Sequence, residues 1–205
     1  VCSSDLMFNT KTTSAHWYIN TKLSARSVVR AGIVNNYYSV NLFDSSRQYP
    51  PSRQDWQQRL NYRGGTDLLQ GYVQYKYRPS DALTLTAGLH GQYLTHNSKA
   101  AIEPRIGMRW RVSSSGVMTA GYGLHSQMQQ LYQYYAHLPQ NTQSVMHNYD
   151  MGFTRSHHVV VGYEHALSKV LKLRTEVYYQ YLFNVPIEMR AGSSFSGLNQ
   201  GASFS

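Results

Sequence analysis

The residues of this sequence that could carry chemistry are serines, histidines and ions, and no catalytic motif joins them. The chain has no Gly-x-Ser-x-Gly elbow, no phosphate-binding loop and no zinc-binding helix. Ser193, Ser194 and Ser196 lie among glycines near the carboxyl end, a composition typical of a loop. We therefore expect no enzymatic activity and no cofactor.

The nine histidines raise the question of a metal site. His157 and His158 are adjacent, so on a strand their side chains point to opposite faces and cannot chelate one ion together. His125, His137 and His147 could meet at one end of the predicted strands. A zinc site needs several ligands in fixed geometry, however, and a loop histidine is more often solvated. We therefore expect no metal site.

The ions of the chain alternate with apolar residues. Glu103, Arg105, Arg109 and Arg111 are interleaved with Ile102, Pro104, Ile106, Met108 and Trp110, and Arg174 and Glu176 with Leu173, Thr175 and Val177. Successive side chains of a strand point to opposite faces, so this pattern predicts strands with one ionic and one apolar face. The formal net charge is +9. These arginines form no basic patch with base-stacking aromatics, and we expect no nucleic-acid partner.

The stretch 171–183 shows how long these strands are. It alternates throughout, except for Leu182 on the ionic face, and exceeds the usual strand length of about 5–6 residues. At about 3.3 Å per residue it reaches roughly 43 Å, which at a tilt near 45° crosses a hydrocarbon core of about 30 Å. The sequence lacks the run of about 18 apolar residues that a membrane helix needs. A membrane barrel would place the apolar face on lipid and the ionic face in a wet lumen.

The same alternation predicts eight strands in one domain. They lie at about 16–23, 28–43, 66–78, 83–94, 101–112, 117–127, 157–167 and 171–183. Tight turns follow the odd-numbered strands, whereas the loops 44–65 and 128–156 and the tail from Pro186 are long; the link 95–99 is a short exception. Pro104 cannot donate to a ladder, so we expect it near a strand end or bulge. The organisation predicts an all-β fold, an antiparallel transmembrane β-barrel with its long loops outside the cell.

Two groups of side chains are candidate site residues in such a barrel. The lumen-facing ions would be Glu103, Arg105, Arg109, Arg111, Arg174 and Glu176. They would either simply line a wet lumen or attract an anionic ligand, and we favour the first because lumen charges are usual in barrels. Tyr132, Tyr134 and Tyr135, in the loop 128–156, would either stack on a ligand or belong to the upper aromatic girdle.

Four segments resemble the barrel of TonB-dependent receptors, most closely those of Bacteroidetes. They are IEPRIGMRW (102–110), AGYGLHSQ (120–127), VVVGYEHAL (159–167) and LRTEVYYQYLFNVPIE (173–188), and the likeness covers roughly 15–186. The resemblance implies a barrel of about 22 strands, a plug domain inside it and an N-terminal box that binds TonB. It implies uptake of a scarce nutrient, either siderophore, vitamin, oligosaccharide or peptide, across the outer membrane of a Gram-negative bacterium. The partners implied are outer-membrane lipid, the TonB complex, and a surface lipoprotein as a further candidate.

The plug, the box and a signal peptide are not visible, so we expect residues 7–205 to be a partial barrel, an open curved sheet of about eight long strands. Residues 1–6 break the pattern, and codons for Cys2 to Leu6 can spell the end of a common sequencing adapter. We interpret them as a non-native scar; an ordinary polar N-terminus is the alternative.

Two other functions stay open. A complete small eight-stranded barrel with a structural or adhesive role would pair its first strand with its last. A soluble carbohydrate-binding module would have shorter strands and a buried apolar face.

Overall fold

The computed structural model describes residues 3–47, 56–135, 138–140, 143–145 and 148–187. Eight strands form one antiparallel sheet, and a short helix and a small two-stranded hairpin lie between the sixth and seventh of them. The elements are β1 (Ser3–Ser24), β2 (Ser27–Arg47), β3 (Gln57–Tyr77), β4 (Leu83–Leu94), β5 (Lys99–Arg111), β6 (Gly116–Gln127), α1 (Leu131–Tyr135), β7 (Leu138–Gln140), β8 (Gln143–Val145), β9 (Thr154–Ala166) and β10 (Lys172–Phe183).

The sheet is open. Its strand order is β1-β2-β3-β4-β5-β6-β9-β10, so each strand pairs with its neighbours in this order and β1 and β10 form the two edges. The predicted fold class, an open antiparallel sheet of eight long strands, is confirmed. Within the described residues, no helix has the length and apolar character required to cross a membrane.

The first three strands extend beyond the predicted boundaries at the long-loop end. β1 begins at Ser3 and β2 continues to Arg47, with Met7 opposite Phe43 and Thr10 opposite Val40. The predicted loop 44–65 was therefore wrong over most of its length, because β3 already begins at Gln57. Apart from Met7, the outward side chains of the β1 extension as far as Thr13, such as Asn9 and Lys11, are polar, so the extension lacks the apolar alternation by which sequence reasoning recognises a strand. The foreign origin proposed for residues 1–6 stays a prediction; residues 1 and 2 lie outside the described part.

Gly64 and Gly65, which fall within the predicted loop 44–65, lie in the β2–β3 ladder opposite Val40 and Ser39. A Cβ at Gly64 would overlap the ring of Tyr62, and one at Gly65 the ring of Tyr37. The two glycines therefore make room for neighbouring tyrosine rings within a continuous strand, a role that glycine has where side chains cross a backbone closely.

The loop predicted at 128–156 contains α1, the β7–β8 hairpin and the start of β9 at Thr154. At the opposite end of the strands, short turns join β1 to β2, β3 to β4, β5 to β6 and β9 to β10. The tail from Pro186 is described only to Ile187. Connections are thus short at one end of the strands, and longer at the other except for the 95–98 turn.

The register separates the side chains into two faces. The outward face carries exposed apolar residues that lie side by side across the strands, including Ile19, Ile33, Val73, Leu89, Ile106 and Val177. The inner face carries the ions, several glycines and, near the long-loop end, the buried core: Val40, Leu42, Leu60, Leu68, Leu94 and Ala101, with Leu131, Tyr134, Tyr135 and Phe153 packed on it. The core therefore sits between the inner face and the loop that follows β6.

Candidate functional site

Glu103 is the centre of a polar cluster on the inner face of β5. Its side chain is almost fully buried, at 1% exposure. One carboxylate oxygen, Oε1, accepts hydrogen bonds from Gln92 Nε2 at 2.6 Å and from the backbone N–H of Ser126 at 2.9 Å. The other, Oε2, lies 2.7 Å from Arg105 Nη2 and 3.0 Å from His90 Nδ1. A buried carboxylate needs such a full set of partners, because an unpaired one would cost several kcal/mol.

The cluster lies where the sheet loses part of its backbone pairing. β5 pairs with β4 along nearly its whole length, but with β6 only from Arg105 to Arg111. Pro104, which has no N–H to donate, is the first residue beyond this ladder. We call the unpaired stretch between β5 and β6, which runs from Pro104 toward the long-loop end of the sheet (the upper end), the wall seam. Pro104 was expected near a strand end or bulge; it lies inside β5, where the ladder toward β6 stops.

Side chains replace the missing ladder bonds of the wall seam. Glu103 accepts from the N–H of Ser126, and Gln92 donates to the carbonyl oxygen of Ser126 at 2.8 Å. From the far side, Arg155 Nη2 donates to the carbonyl oxygen of Ile102 at 2.9 Å. Buried backbone groups must be paired somewhere, so these three contacts explain why polar side chains are concentrated at this point.

The remaining predicted ions lie closer to the short-turn end of the inner face. Glu164 forms long ion pairs with Arg109 and Arg174, with N···O distances of 3.8 and 3.9 Å. Arg174 Nη2 also donates a hydrogen bond to Glu176 Oε1 at 2.6 Å. These side chains are at least one-third exposed, so each pair contributes about 0–1 kcal/mol. Arg111 lies opposite Val117, two residue pairs beyond Arg109 toward the short-turn end. Glu164 and Gln92 were not among the predicted site residues, although both follow the same alternation.

Two of the histidines discussed above lie on opposite faces of β9, as adjacency requires. His158 faces His125 on the inner face, with ring centroids 4.6 Å apart. His157, on the outward face, hydrogen-bonds the hydroxyl of Tyr122 at 2.9 Å and stacks on Phe183 at 5.1 Å. In the part of the chain that the structure describes, no three His, Cys, Asp or Glu side chains are placed to hold a metal ion. His137 and His147 lie outside the described residues.

The segment carrying α1 folds over the upper inner face, and we call residues 128–135 and 148–153 together the loop cap. Leu131, Tyr134 and Tyr135 are buried, and Tyr135 stacks on Tyr62 of β3 at 3.6 Å. Tyr134 accepts a hydrogen bond from the N–H of Gln129. Of the three tyrosines expected either to stack on a ligand or to belong to the upper aromatic girdle, only Tyr132 keeps partial exposure, and it stacks on Phe8 at 5.0 Å.

His96, in the turn between β4 and β5, connects the sheet to the loop cap. Its ring lies 4.3, 4.5 and 5.5 Å from the rings of Tyr149, Tyr135 and Tyr134. Next to it, Asn97 Nδ2 donates to the carbonyl oxygens of Tyr149 and Met151. Burial lowers the pKa of His96, opposed in part by Asp150. Burial likewise raises the pKa of Tyr134 and Tyr135. Sequence reasoning missed His96, because a histidine in a short polar link carries no signal of what will cover it.

The geometry is that of an open antiparallel sheet with one uncovered apolar face, one ion-bearing face and a loop packed at one end. By fold, the chain is similar to the FrpB iron transporter from Neisseria meningitidis (F5-1 variant, apoprotein form), with a TM-score of 0.63 at 12% identity. The match covers 90% of this chain and 31% of the transporter, so the chain spans about a third of that protein's length. No protein-family profile and no curated protein sequence matches the chain.

Proposed function

We propose that this chain is part of the barrel wall of a TonB-dependent active transporter in the outer membrane of a Gram-negative bacterium, which takes up a scarce nutrient. One observation carries the proposal: the fold of this chain is similar to that of an iron transporter over 90% of this chain and 31% of the transporter. The uncovered apolar outward face, with Ile106 and Val177 strongly exposed, supports the proposal, because contact of such a large apolar face with water is unfavourable whereas contact with lipid is not.

The edges of the sheet favour this function over a complete small barrel. β1 and β10 are not neighbours in the strand order. Unpaired edge groups cost several kcal/mol each in hydrocarbon, so the edges require further strands of a larger barrel. A soluble binding module is disfavoured as well, because the main-sheet strands run from 12 to 22 residues and their apolar face is uncovered.

Within this proposal the inner face lines the passage and the loop cap stands at its extracellular mouth. The protein performs no catalysis. It would bind its ligand through the loops and the plug, and receive energy from the TonB complex through parts of the protein outside this chain. Lipid would cover the outward face, and a surface lipoprotein is a candidate partner at the loops.

The experiment compares a strain lacking the full-length gene with a complemented strain. Growth is measured with the metal, vitamin or glycan source made limiting, and iron limitation comes first because the structural neighbour transports iron. We expect the deletion to impair growth on one limited nutrient, and a protonophore to abolish uptake in the complemented strain. Uptake that survives the protonophore, or recovery of the protein in the soluble fraction, would contradict the proposal.

A further inference from the structure

A cavity of about 460 Å³ opens where β5 departs from β6 above Pro104. The first residues of β5, the end of the loop cap, the start of β9 and the segment after β10 line it, through Ala100, Met151, Phe153, Val185 and Pro186 among others. Most of these side chains are apolar. The cavity therefore lies next to the wall seam, between the first residues of β5 and the segments that precede β9 and follow β10.

Two cations, Arg155 and Lys99, also line this cavity. Arg155 uses Nη2 to bind the carbonyl oxygen of Ile102, and its guanidinium lies 5.8 Å from the ring centre of Phe183. Its Nε is buried and has no hydrogen-bond partner among the described residues. In the part of the chain that the structure describes, the one ion pair of Lys99 is a loose pair with Asp150, at 3.8 Å, and that carboxylate is 82% exposed. Among the described residues, no carboxylate lines the cavity itself.

The cavity passes between the two faces of the sheet: Arg155 lines it from the outward side, at the border of the apolar face, whereas Lys99, Ala101 and Phe153 line it from the inner side. Below Arg155 on β9, the outward residues are His157, Val159 and Val161, and their neighbours on β10 are Tyr181, Tyr179 and Val177. Rings of Tyr122, His157, Tyr181 and Phe183 are in contact at this border. Amphipathic aromatic rings mark the level at which hydrocarbon meets headgroups in membrane barrels.

From this placement we propose that the wall seam holds a binding site for a phosphate-bearing lipid. The phosphate binds Arg155 and Lys99, and the acyl chains follow the apolar outward face of β9 and β10. The inference rests on the proposed membrane orientation of the sheet. A free phosphate would satisfy the two cations but would leave the apolar lining uncovered, so the geometry favours an amphiphile.

The test uses the full-length protein in neutral maltoside micelles. Dilauroyl phosphatidic acid is titrated by calorimetry, with dilauroylglycerol and inorganic phosphate as separate probes. We expect saturable binding of the phosphatidic acid, and much weaker binding of the other two. Arg155→Gln should weaken binding about tenfold or more, as the loss of a charge-assisted hydrogen bond implies. Arg174→Gln, which removes a cation from the inner face, should leave the affinity unchanged.

A second variant guards against a structural effect of losing Arg155. A Cβ at Gly152 meets no atom within 4 Å, so Gly152→Trp fills the cavity while both cations and the bond to Ile102 are kept. This variant should lose binding with an unchanged unfolding midpoint. Equal affinity for inorganic phosphate, or binding unaffected by Gly152→Trp, would overturn the inference. Uptake assays separate the two proposals, since a protein that transports but does not bind phosphatidic acid overturns only the lipid site.

Discussion

Replacement of Glu103 should be the most damaging loss of any ion on the inner face. Glu103→Ala removes the acceptor of four donors, among them the backbone N–H of Ser126 and the guanidinium of Arg105. Breaking a buried ion pair by removing one partner costs about 3–5 kcal/mol. Arg105 is 47% exposed and can be rehydrated, so we expect the lower part of this range, about 3 kcal/mol. The loss should open the wall seam rather than the whole sheet.

The matched control is Glu176→Ala. That carboxylate also binds an arginine, Arg174, at 2.6 Å, but it is 44% exposed and supports no backbone group among its described contacts. Its removal should cost less than about 1 kcal/mol. Each variant removes one carboxylate from the parent protein. A difference between their free energies of unfolding therefore measures the effect of the burial of Glu103 and of its contacts at the wall seam.

The assay is equilibrium urea unfolding of the full-length protein in lipid vesicles, combined with hydrogen exchange of the Ser126 amide. We expect a large drop in the free energy of unfolding and fast exchange at Ser126 for Glu103→Ala, and neither for Glu176→Ala. Equal costs for the two variants, or a protected Ser126 amide after Glu103→Ala, would refute the reasoning that Glu103 replaces a ladder bond.

Three further outcomes test the orientation and the loop cap. Ile106→Arg on the outward face should cost roughly 2–4 kcal/mol in vesicles, against far less for Arg109→Ala, and equal penalties would reject the face assignment. Burial lowers the pKa of His96 below 6.5, so docking of the loop cap is most stable above that pH and weakens as the pH falls through 6.5. The protease sensitivity of the loop cap should therefore rise as the pH is lowered toward about 5. In the His96→Gln variant, protease sensitivity should no longer depend on pH in this range. An epitope inserted at 141–142 should be labelled on intact cells, whereas one in the turn 113–115 should not, and the reverse pattern would invert the topology.

The sequence by itself determined the faces and the strands of the lower sheet. In β5 and β10, ions alternate with apolar residues, and a strand cannot accommodate that pattern in any other way than with one ionic and one apolar face. The tight turns at the short-turn end of the strands could also be predicted from the sequence, because a tight turn depends on a few neighbouring residues. Local chemistry and a period of two suffice for both features.

Only the tertiary structure decided the upper part of the molecule. The extension of β1, β2 and β3 depends on pairing between segments about 40 residues apart, such as Met7 with Phe43, and their own composition is that of loops. Glu103 looked like one lumen ion among several, but the loss of the β5–β6 ladder at Pro104 made it the buried partner of Ser126. Tyr135 looked available to a ligand until the fold stacked it on Tyr62. Burial and hydrogen-bond partners depend on which distant segments meet, and the period of a sequence does not carry that information.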